Sequence, residues 1–414
     1  MSDHALSDAG TVATAAPRGA PLPIPAGRLV VRRATFLRRA VTMGAIGVRM
    51  MFHDKLKLLG TMLGVIFAVV LSNQQAGTFV GLIYKNVMFV ENSDAQLWLV
   101  PIGTETFTGG KVLSTADLMQ AKATPGIEWA EPVIVGTATV QLPGGGSEAV
   151  TVVGTKYPRY AGGPWNMVVG DRSALGRPDT MVFEDGDREN LGGLNVGSVR
   201  EVNGHRVTVG AFTWGLIPFG PSYAFADFDL ARELLKTPQD RASFVLLGTS
   251  PGEDPAVVKQ RLQERIADTQ VMTRADFKRS IVRNILLKTA IGVTFGTSTI
   301  FGLIVGFAIV SLSMFSSVLD NIREFGTLKA VGATNLDLAM LLFAQAVMFG
   351  SMGSIVGLAL VSQLARGVRS AKLAMNLPPV MTIGTAVLMI CLCVFASSLA
   401  LLRLRKVEPA MVFR

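Results

Sequence analysis

The stretch AIGVTFGTSTIFGLIVGFAIVSLSMFSSVL, residues 290–319, contains 30 residues and no charged side chain. As an α-helix with a rise of about 1.5 Å per residue it is roughly 45 Å long, which exceeds the hydrocarbon thickness of a bilayer. Three further apolar stretches occupy residues 58–83, 336–365 and 380–402. The sequence therefore predicts an integral membrane protein with four transmembrane α-helices, of which the second projects beyond the bilayer.

The composition of the chain agrees with this class. Half of the 414 residues are apolar and 17% are charged, compared with about 25% charged in an average soluble domain. A soluble enzyme, a disordered chain and a disulfide scaffold are thereby excluded. The net charge of +9 lies largely beside apolar segments, so it indicates membrane topology and not nucleic-acid binding. Cys391 and Cys393 are two apart in an apolar run and cannot bridge each other on a helix.

The residues before the first span divide into two segments. Residues 1–27 are rich in Ala, Pro, Gly and Ser and predict a disordered tail. Residues 28–57 carry eight basic side chains against one acid, so we expect them to stay cytoplasmic, where they can lie along the inner leaflet as an interfacial helix.

The first span contains a polar interruption, Ser72, Asn73, Gln74 and Gln75. Polar side chains at such depth usually face a bundle interior or a cavity, which makes Asn73, Gln74 and Gln75 candidates for a cargo or interface site. The alternative is that the helix ends before them and leaves them at the outer interface.

The segment 86–284 differs in kind from the rest of the chain. It contains all four tryptophans, most of the acids, and short alternating runs separated by turn signals such as Asn203-Gly204, which predicts a hairpin. Helices are expected from Ser114, where Asp117 completes a capping pattern, and over residues 255–267. About 200 residues can bury their own core, so we predict a large α+β periplasmic domain between helices 1 and 2.

Four spans place the C-terminus on the same side of the membrane as the N-terminus, and this fixes the expected side of each remaining segment. Both termini are expected in the cytoplasm. Positive charge usually lies on the cytoplasmic side, whereas this topology places Arg366, Arg369 and Lys372 in a short outer loop. Glycine pairs four apart, Gly302/Gly306 and Gly353/Gly357 among them, permit close helix contact. The predicted segments are a stalk with the second span (285–319), a cytoplasmic loop (320–335), the third span (336–365), a periplasmic loop (366–379), the fourth span (380–402) and a cytoplasmic C-terminus (403–414).

Catalytic motifs are missing from the sequence. Gly109-Gly110-Lys111 lacks the first glycine and the final Ser or Thr of a Walker A loop, and His4, His53 and His205 have no metal-ligand spacing. The run Glu184–Asp187 is interpreted as a solvated turn. The apolar runs of the second to fourth spans carry no ionisable residue, which argues against an ion-coupled transporter. We therefore expect a non-enzymatic chain with no metal or cofactor of its own.

The loop DNIREFGTLKAVGAT, residues 320–334, is the most specific motif. Its REFGTLKAVGAT portion closely resembles the segment after the second span in ABC-transporter permeases of the MacB/FtsX type, and the ending RKVEPAMVFR resembles that family's C-terminus. The separate permease chain looks most like the DevC branch. The resemblance implies that the loop helix fits a groove of a separate ATP-binding subunit, which binds ATP and Mg²⁺. The implied contact residues are Arg323, Glu324, Phe325, Leu328, Lys329 and Gly332.

The same resemblance implies partners and a location. These are a second permease copy, identical or homologous, membrane lipids, and a periplasmic adaptor of the membrane-fusion type, with the chain in a bacterial inner membrane. ATP-driven closure of the cytoplasmic subunits would move the external domains and export or extract a lipid, glycolipid or other hydrophobic cargo. Two alternatives are lipoprotein release, as in LolC/LolE-like permeases, and FtsX-like signalling to cell-wall hydrolases.

Overall fold

A computed structural model describes residues 36–53, 55–107, 111–217, 220–367 and 375–404. Several sequence-based predictions lie outside these residues. They are the tail 1–27, the start of the basic segment 28–57, half of the loop 366–379 with its Arg369 and Lys372, and nearly all of the C-terminal segment 403–414.

Ten helices and twelve strands are present in the described part of the chain, apart from two short 3₁₀ turns. The helices of the apolar part are α1 (Phe36–His53), α2 (Lys55–Asn92), α7 (Ala290–Asp320), α8 (Ile322–Ala330), α9 (Asn335–Gly367) and α10 (Pro379–Leu404). Four of these, α2, α7, α9 and α10, are long and apolar enough to cross a membrane. Helix α2 continues nine residues past the predicted span end at 83, so the first apolar helix reaches well into the following domain.

Helix α2 is unbroken at its polar interruption. The Asn73 side chain is fully buried: its Nδ2 donates to the Val69 carbonyl at 2.8 Å, and its Oδ1 accepts from Thr385 Oγ1 of α10 at 3.0 Å. The amide is therefore satisfied by one bond along its own helix and one across to a neighbour. The alternative in which the helix ends before Ser72 is wrong.

Glycines bring the apolar helices close together. A Cβ at Gly306 of α7 would lie 2.3 Å from the Ala68 Cβ of α2, and one at Gly353 of α9 would lie 2.4 Å from Val65 Cγ1. Such positions accept only glycine at the observed separation, as in other membrane helix contacts. A Cβ at Gly296, in contrast, would meet no heavy atom of the described residues within 4 Å. Helix α2 thus packs closely against both α7 and α9.

The residues between α2 and α7 form a β-rich domain. Its strands are β1 (Leu97–Pro101), β2 (Leu113–Ser114), β3 (Ile127–Gln141), β4 (Ser147–Thr155), β5 (Met167–Val169), β6 (Thr180–Glu184), β7 (Val199–Val202), β8 (His205–Thr213), β9 (Ser222–Asp227), β10 (Arg241–Ala242), β11 (Phe244–Thr249) and β12 (Thr269–Thr273). Ten of them form one sheet in the order β12-β1-β11-β3-β4-β9-β6-β8-β5, with β7 pairing with β3 and β8, while β2 and β10 pair separately. The pairs β4–β9 and β6–β8 are parallel and the others antiparallel, so the sheet is mixed.

Helices α3 (Thr115–Lys122), α4 (Phe228–Leu234), α5 (Pro255–Arg265) and α6 (Arg274–Lys288) complete the domain. Two local predictions are confirmed. Ser114 caps α3 through a reciprocal pair with Asp117, and Asn203-Gly204 forms the β7–β8 turn with φ values of 47° and 87°. Both residues of the turn have the positive φ that a two-residue hairpin of this type needs.

The end of α2 is part of the core of the β-rich domain. Phe89 is fully buried, and its ring meets the rings of Trp98 and Tyr223 edge-on at centroid distances of 5.8 and 6.1 Å. A helix that contributes a central aromatic side chain to a close-packed core cannot shift without moving that core. The β-rich domain is therefore rigidly joined to α2.

Candidate functional site

The short helix α8 connects α7 to α9 and is the candidate site. Its C-terminus is closed by Gly332, which has a φ of 105°, and by a hydrogen bond from the Ala333 N–H to the Leu328 carbonyl at 2.9 Å. A left-handed residue just after a helix end favours glycine, because a Cβ would be strained there. The position of Gly332 in the motif is thereby explained by the turn into α9.

One face of α8 is buried within the chain itself. Phe325 is 1% exposed and belongs to an apolar cluster with residues of α1, α2, α7, α9 and α10, while Ile322 and Leu328 pack at its edge. Phe325, one of the implied contact residues, is therefore anchored in this chain's own core. The side chain fixes α8 against the apolar helices.

The opposite face of α8 presents charge. Arg323 and Glu324 are exposed, Lys329 is half-buried, and Val331 just past the helix is 85% exposed. Within the described residues, neither Arg323 nor Glu324 has an oppositely charged group within 4 Å. Glu324 lies in the first turn and Lys329 in the last, so each charge is favourable with respect to the helix dipole.

The start of α9 connects α8 to α1 through residues that the sequence analysis did not select. Thr334 caps α9: its N–H and hydroxyl donate to Asp337 Oδ2 at 2.8 and 2.7 Å. Asp337 is 2% exposed, and its Oδ1 lies 3.8 Å from Arg39 Nε of α1. Gln345 Nε2 donates to the buried carbonyl of Gly47 in α1 at 2.9 Å. The Thr-x-x-Asp capping pattern was visible in the sequence, whereas the pairing with α1 was not.

The joint between α6 and α7 lies at Thr289, where the backbone is extended (φ −102°, ψ 144°). A Cβ at Gly292 would lie 2.2 Å from the Ile285 carbonyl oxygen, so the turn closes tightly on itself. Ion pairs Lys278–Glu91 and Lys288–Glu105 and a stacked pair, Phe79 on Phe295 at 5.6 Å, hold α6 and α7 against α2 and the β1–β2 segment. The predicted stalk thus consists of two helices that join at Thr289.

Two family descriptions match the chain. Residues 58–265 match the MacB-like periplasmic core domain, and residues 296–409 match the FtsX-like permease C-terminal domain. The chain belongs to the MacB/FtsX family of ABC transporter permeases. Members of this family are integral membrane, non-catalytic subunits that work with a partner ATP-binding subunit. The resemblance to the DevC branch stays a prediction.

Two solved structures of external domains are similar to parts of the permease. The extracellular domain of the noncanonic ABC-type transporter YknZ from Gram-positive bacteria is 15% identical, with 43% of this chain and 99% of that chain covered and a TM-score of 0.32. The periplasmic region of MacB from Actinobacillus actinomycetemcomitans is 11% identical, with coverages of 47% and 98% and a TM-score of 0.37. No curated protein sequence matches the permease significantly.

The second group of predicted residues lies away from α8. Asn73 bonds to Thr385 near the beginning of α10, while Leu401, at the other end of α10, belongs to the cluster around Phe325. Gln74 is exposed and Gln75 half-buried. The structure therefore separates these polar residues from α8 by most of the length of the helical bundle.

Two carboxylates of the run Glu184–Asp187, Glu184 and Asp187, are buried and not solvated as the sequence predicted. Asp187 accepts a hydrogen bond from Ser222 Oγ at 2.7 Å. Glu184, interpreted as part of a solvated turn, is fully buried and accepts hydrogen bonds from Thr213 Oγ1 at 2.9 Å and from the Leu216 N–H at 3.0 Å. Burial raises the pKa of Glu184, and its hydrogen bonds oppose that shift. Lys85 Nζ of α2 donates to the carbonyl of Gly215, whose N–H donates to Glu184. This network joins α2 to the sheet.

Proposed function

We propose that this permease couples ATP hydrolysis by a separate subunit to movement of the β-rich domain, and thereby exports or extracts a lipid, glycolipid or other hydrophobic cargo. In this proposal four helices span a bacterial inner membrane, both termini are cytoplasmic, and the β-rich domain is periplasmic. ATP and Mg²⁺ bind to the partner. The observation that carries the proposal is α8, a short helix that is buried on its own side and charged on the other.

The contact with the ATP-binding subunit falls on the exposed face of α8. Arg323 and Glu324 supply charges without an ionic partner among the described residues, so they are available to groups of another chain. Lys329 lies at the edge of this face. Phe325 acts indirectly, because a helix fixed by a buried aromatic side chain transmits a push to the helices beneath it.

Two helices, α7 and α2, connect α8 to the β-rich domain. Helix α7 begins at the domain and ends one residue before α8, and it is packed along its length against α2 through Gly306 and Ala68. Helix α2 ends in the domain core at Phe89. A displacement of α8 therefore has two close-packed helices through which to reach the sheet, which supports mechanical transmission in preference to a cargo pore.

The permease needs partners to act in this way. We propose a second permease copy, because two ATP-binding subunits close on each other and each needs a membrane helix to move. A periplasmic adaptor of the membrane-fusion type and membrane lipids complete the proposed assembly. Release of a lipoprotein or signalling to a hydrolase would use the same motion with a different external partner.

The test is Glu324→Lys in the full permease together with its ATPase. We expect loss of the permease-stimulated ATPase activity with normal membrane insertion, because the charge is reversed at the contact without disturbing the buried face. Glu264→Lys, at an exposed position of α5, is the matched control and should leave stimulation unchanged. Unchanged stimulation in Glu324→Lys would contradict the proposed contact.

A pull-down of the tagged chain in mild detergent then identifies the external partner. An ATPase recovered with a membrane-fusion adaptor supports export. An ATPase with a lipoprotein carrier, or with a hydrolase regulator, would replace export by release or signalling. Recovery without any ATPase would overturn the coupling function.

A further inference from the structure

The outer side of α6 borders a polar cavity of about 420 Å³ between α5, β12 and α6. Arg279, Ser280 and Arg283 line it from α6, and Lys259 and Gln270 line it from the other elements. Lys259 is neutralised by Asp276, whose carboxylate lies 2.7 Å from its Nζ. The charge that remains in this cavity is therefore that of the two arginines.

An apolar surface of α6 adjoins the polar cavity and shares Arg279 and Arg283 with it. Its apolar side chains include Val282, Leu286 and Leu287, of which the two leucines are 43% and 72% exposed. Beyond the α6–α7 joint the exposed apolar surface continues with Val293, which is 58% exposed, and then along α7. A strip of apolar side chains thus leads from the arginines to a helix that can span the membrane.

The two arginines stand out from the other basic residues of α6. Lys278 pairs with Glu91 and Lys288 pairs with Glu105. For Arg279 and Arg283, no carboxylate of the described residues lies within 4 Å. The two are four residues apart, so their guanidinium groups project from the same side of the helix, one turn apart.

We propose that this surface binds an amphiphile with a phosphate headgroup, with the phosphate between Arg279 and Arg283 and the acyl chain along Val282, Leu286 and Leu287. Guanidinium groups match phosphate oxygens in charge and geometry, and the apolar strip removes the acyl chain from water. A polar pocket joined to an apolar strip that continues onto α7 fits a lipid drawn from the bilayer. The cargo role of the bound lipid rests on the proposed function, whereas the binding itself does not.

The test uses the full permease in a neutral detergent and a lysophosphatidylglycerol with a diazirine on its acyl chain. After irradiation, mass spectrometry measures the label on residues 282–293, and the lysophosphatidylcholine counterpart serves as the zwitterionic probe. We expect stronger labelling by the anionic probe. Arg279→Gln and Arg283→Gln should each lower it about fivefold, which corresponds to roughly 1 kcal/mol for an exposed ion pair. Arg206→Gln, at an exposed position of β8, is the matched control.

Three results would overturn the proposal. Unchanged labelling by the anionic probe in both Arg279→Gln and Arg283→Gln would show that the arginines do not recognise the phosphate. Complete displacement by inorganic phosphate at equal concentration would show that the acyl chain adds no affinity. Absence of label from residues 282–293 with both probes would mean that another surface, such as a second copy, covers the strip. Since labelling needs no ATPase, Glu324→Lys should leave it intact, so failure of the coupling function and failure of this site can be told apart.

Discussion

The contact between α2 and α7 permits a matched pair of substitutions on one helix. In Gly306→Ala the new Cβ would lie 2.3 Å from the Ala68 Cβ. Carbon atoms in favourable contact are about 3.5–4.0 Å apart, so the two helices must separate by roughly 1 Å or more. In Gly296→Ala, on the same helix, the new methyl group meets no atom of the described residues within 4 Å.

The expected difference in the free energy of unfolding between the two variants follows from two opposing effects. Replacing glycine by alanine within a helix stabilises it by about 1 kcal/mol, and this gain is common to both variants. Overpacking at a close contact costs about 1–3 kcal/mol and applies only to Gly306→Ala. The free energy of unfolding should therefore be lower in Gly306→Ala than in Gly296→Ala by about 1–3 kcal/mol.

Ala68→Gly provides the rescue, because it removes the methyl group that the new Cβ meets. The free energy of unfolding in mixed micelles is measured for the wild type, Gly306→Ala, Ala68→Gly and the double variant. These four values give the coupling energy between positions 306 and 68, which should equal the overpacking cost. Permease-stimulated ATPase activity, measured in parallel, should fall in Gly306→Ala and recover in the double variant. Equal stability of Gly306→Ala and Gly296→Ala, or no rescue by Ala68→Gly, would refute the close contact.

Two further predictions concern the ends of the transmission path. Phe325→Ala should lower the free energy of unfolding by about 3–5 kcal/mol, whereas Val331→Ala, at an exposed position, should change it by about 0.5 kcal/mol or less; equal effects would contradict the buried face of α8. Burial raises the pKa of Glu184 above the value of 4.5 for an unperturbed side chain, so the folded protein holds this proton more tightly than the unfolded chain. Its contribution to stability should be complete below pH 4.5 and decline as pH rises through the folded pKa, so the melting temperature of the wild type should fall more steeply there than that of Glu184→Gln; parallel curves would contradict this.

Local features of the fold were readable from the sequence because neighbouring residues determine them. The apolar run 290–319 predicts α7 almost to the residue, Asn203-Gly204 predicts the turn between β7 and β8, and Ser114 with Asp117 predicts the start of α3. Each depends on helix length, on a backbone angle or on a cap, none of which needs a distant partner. The loop motif located α8 for the same reason, since it is contiguous in the chain.

Features that depend on distant residues were not readable. Nothing near Glu184 in the sequence shows that backbone N–H groups some 30 residues later approach its carboxylate, which is why a fully buried acid was taken for a solvated one. Phe325 is buried by residues of five other helices, most of which are distant in the chain. The sequence around Phe325 does not show this burial, so its side chain was interpreted as a contact residue. The end of α2 was set too early because Phe89 is apolar whether it faces lipid or a protein core.

Three hydrogen bonds between polar side chains or backbone groups of the apolar helices bear on the proposed mechanical transmission. Asn73 of α2 bonds to Thr385 of α10, Gln345 of α9 bonds to the Gly47 carbonyl of α1, and Thr61 of α2 bonds to Ser313 of α7. Each of these groups is used to hold one helix to another, and none is left to line a hydrated path for an ion. The bond between Thr61 and Ser313 joins α2 and α7, the two helices of the proposed path from α8 to the β-rich domain, and it stiffens the route by which motion would travel. A helical bundle that uses its polar groups in this way is suited to transmit displacement.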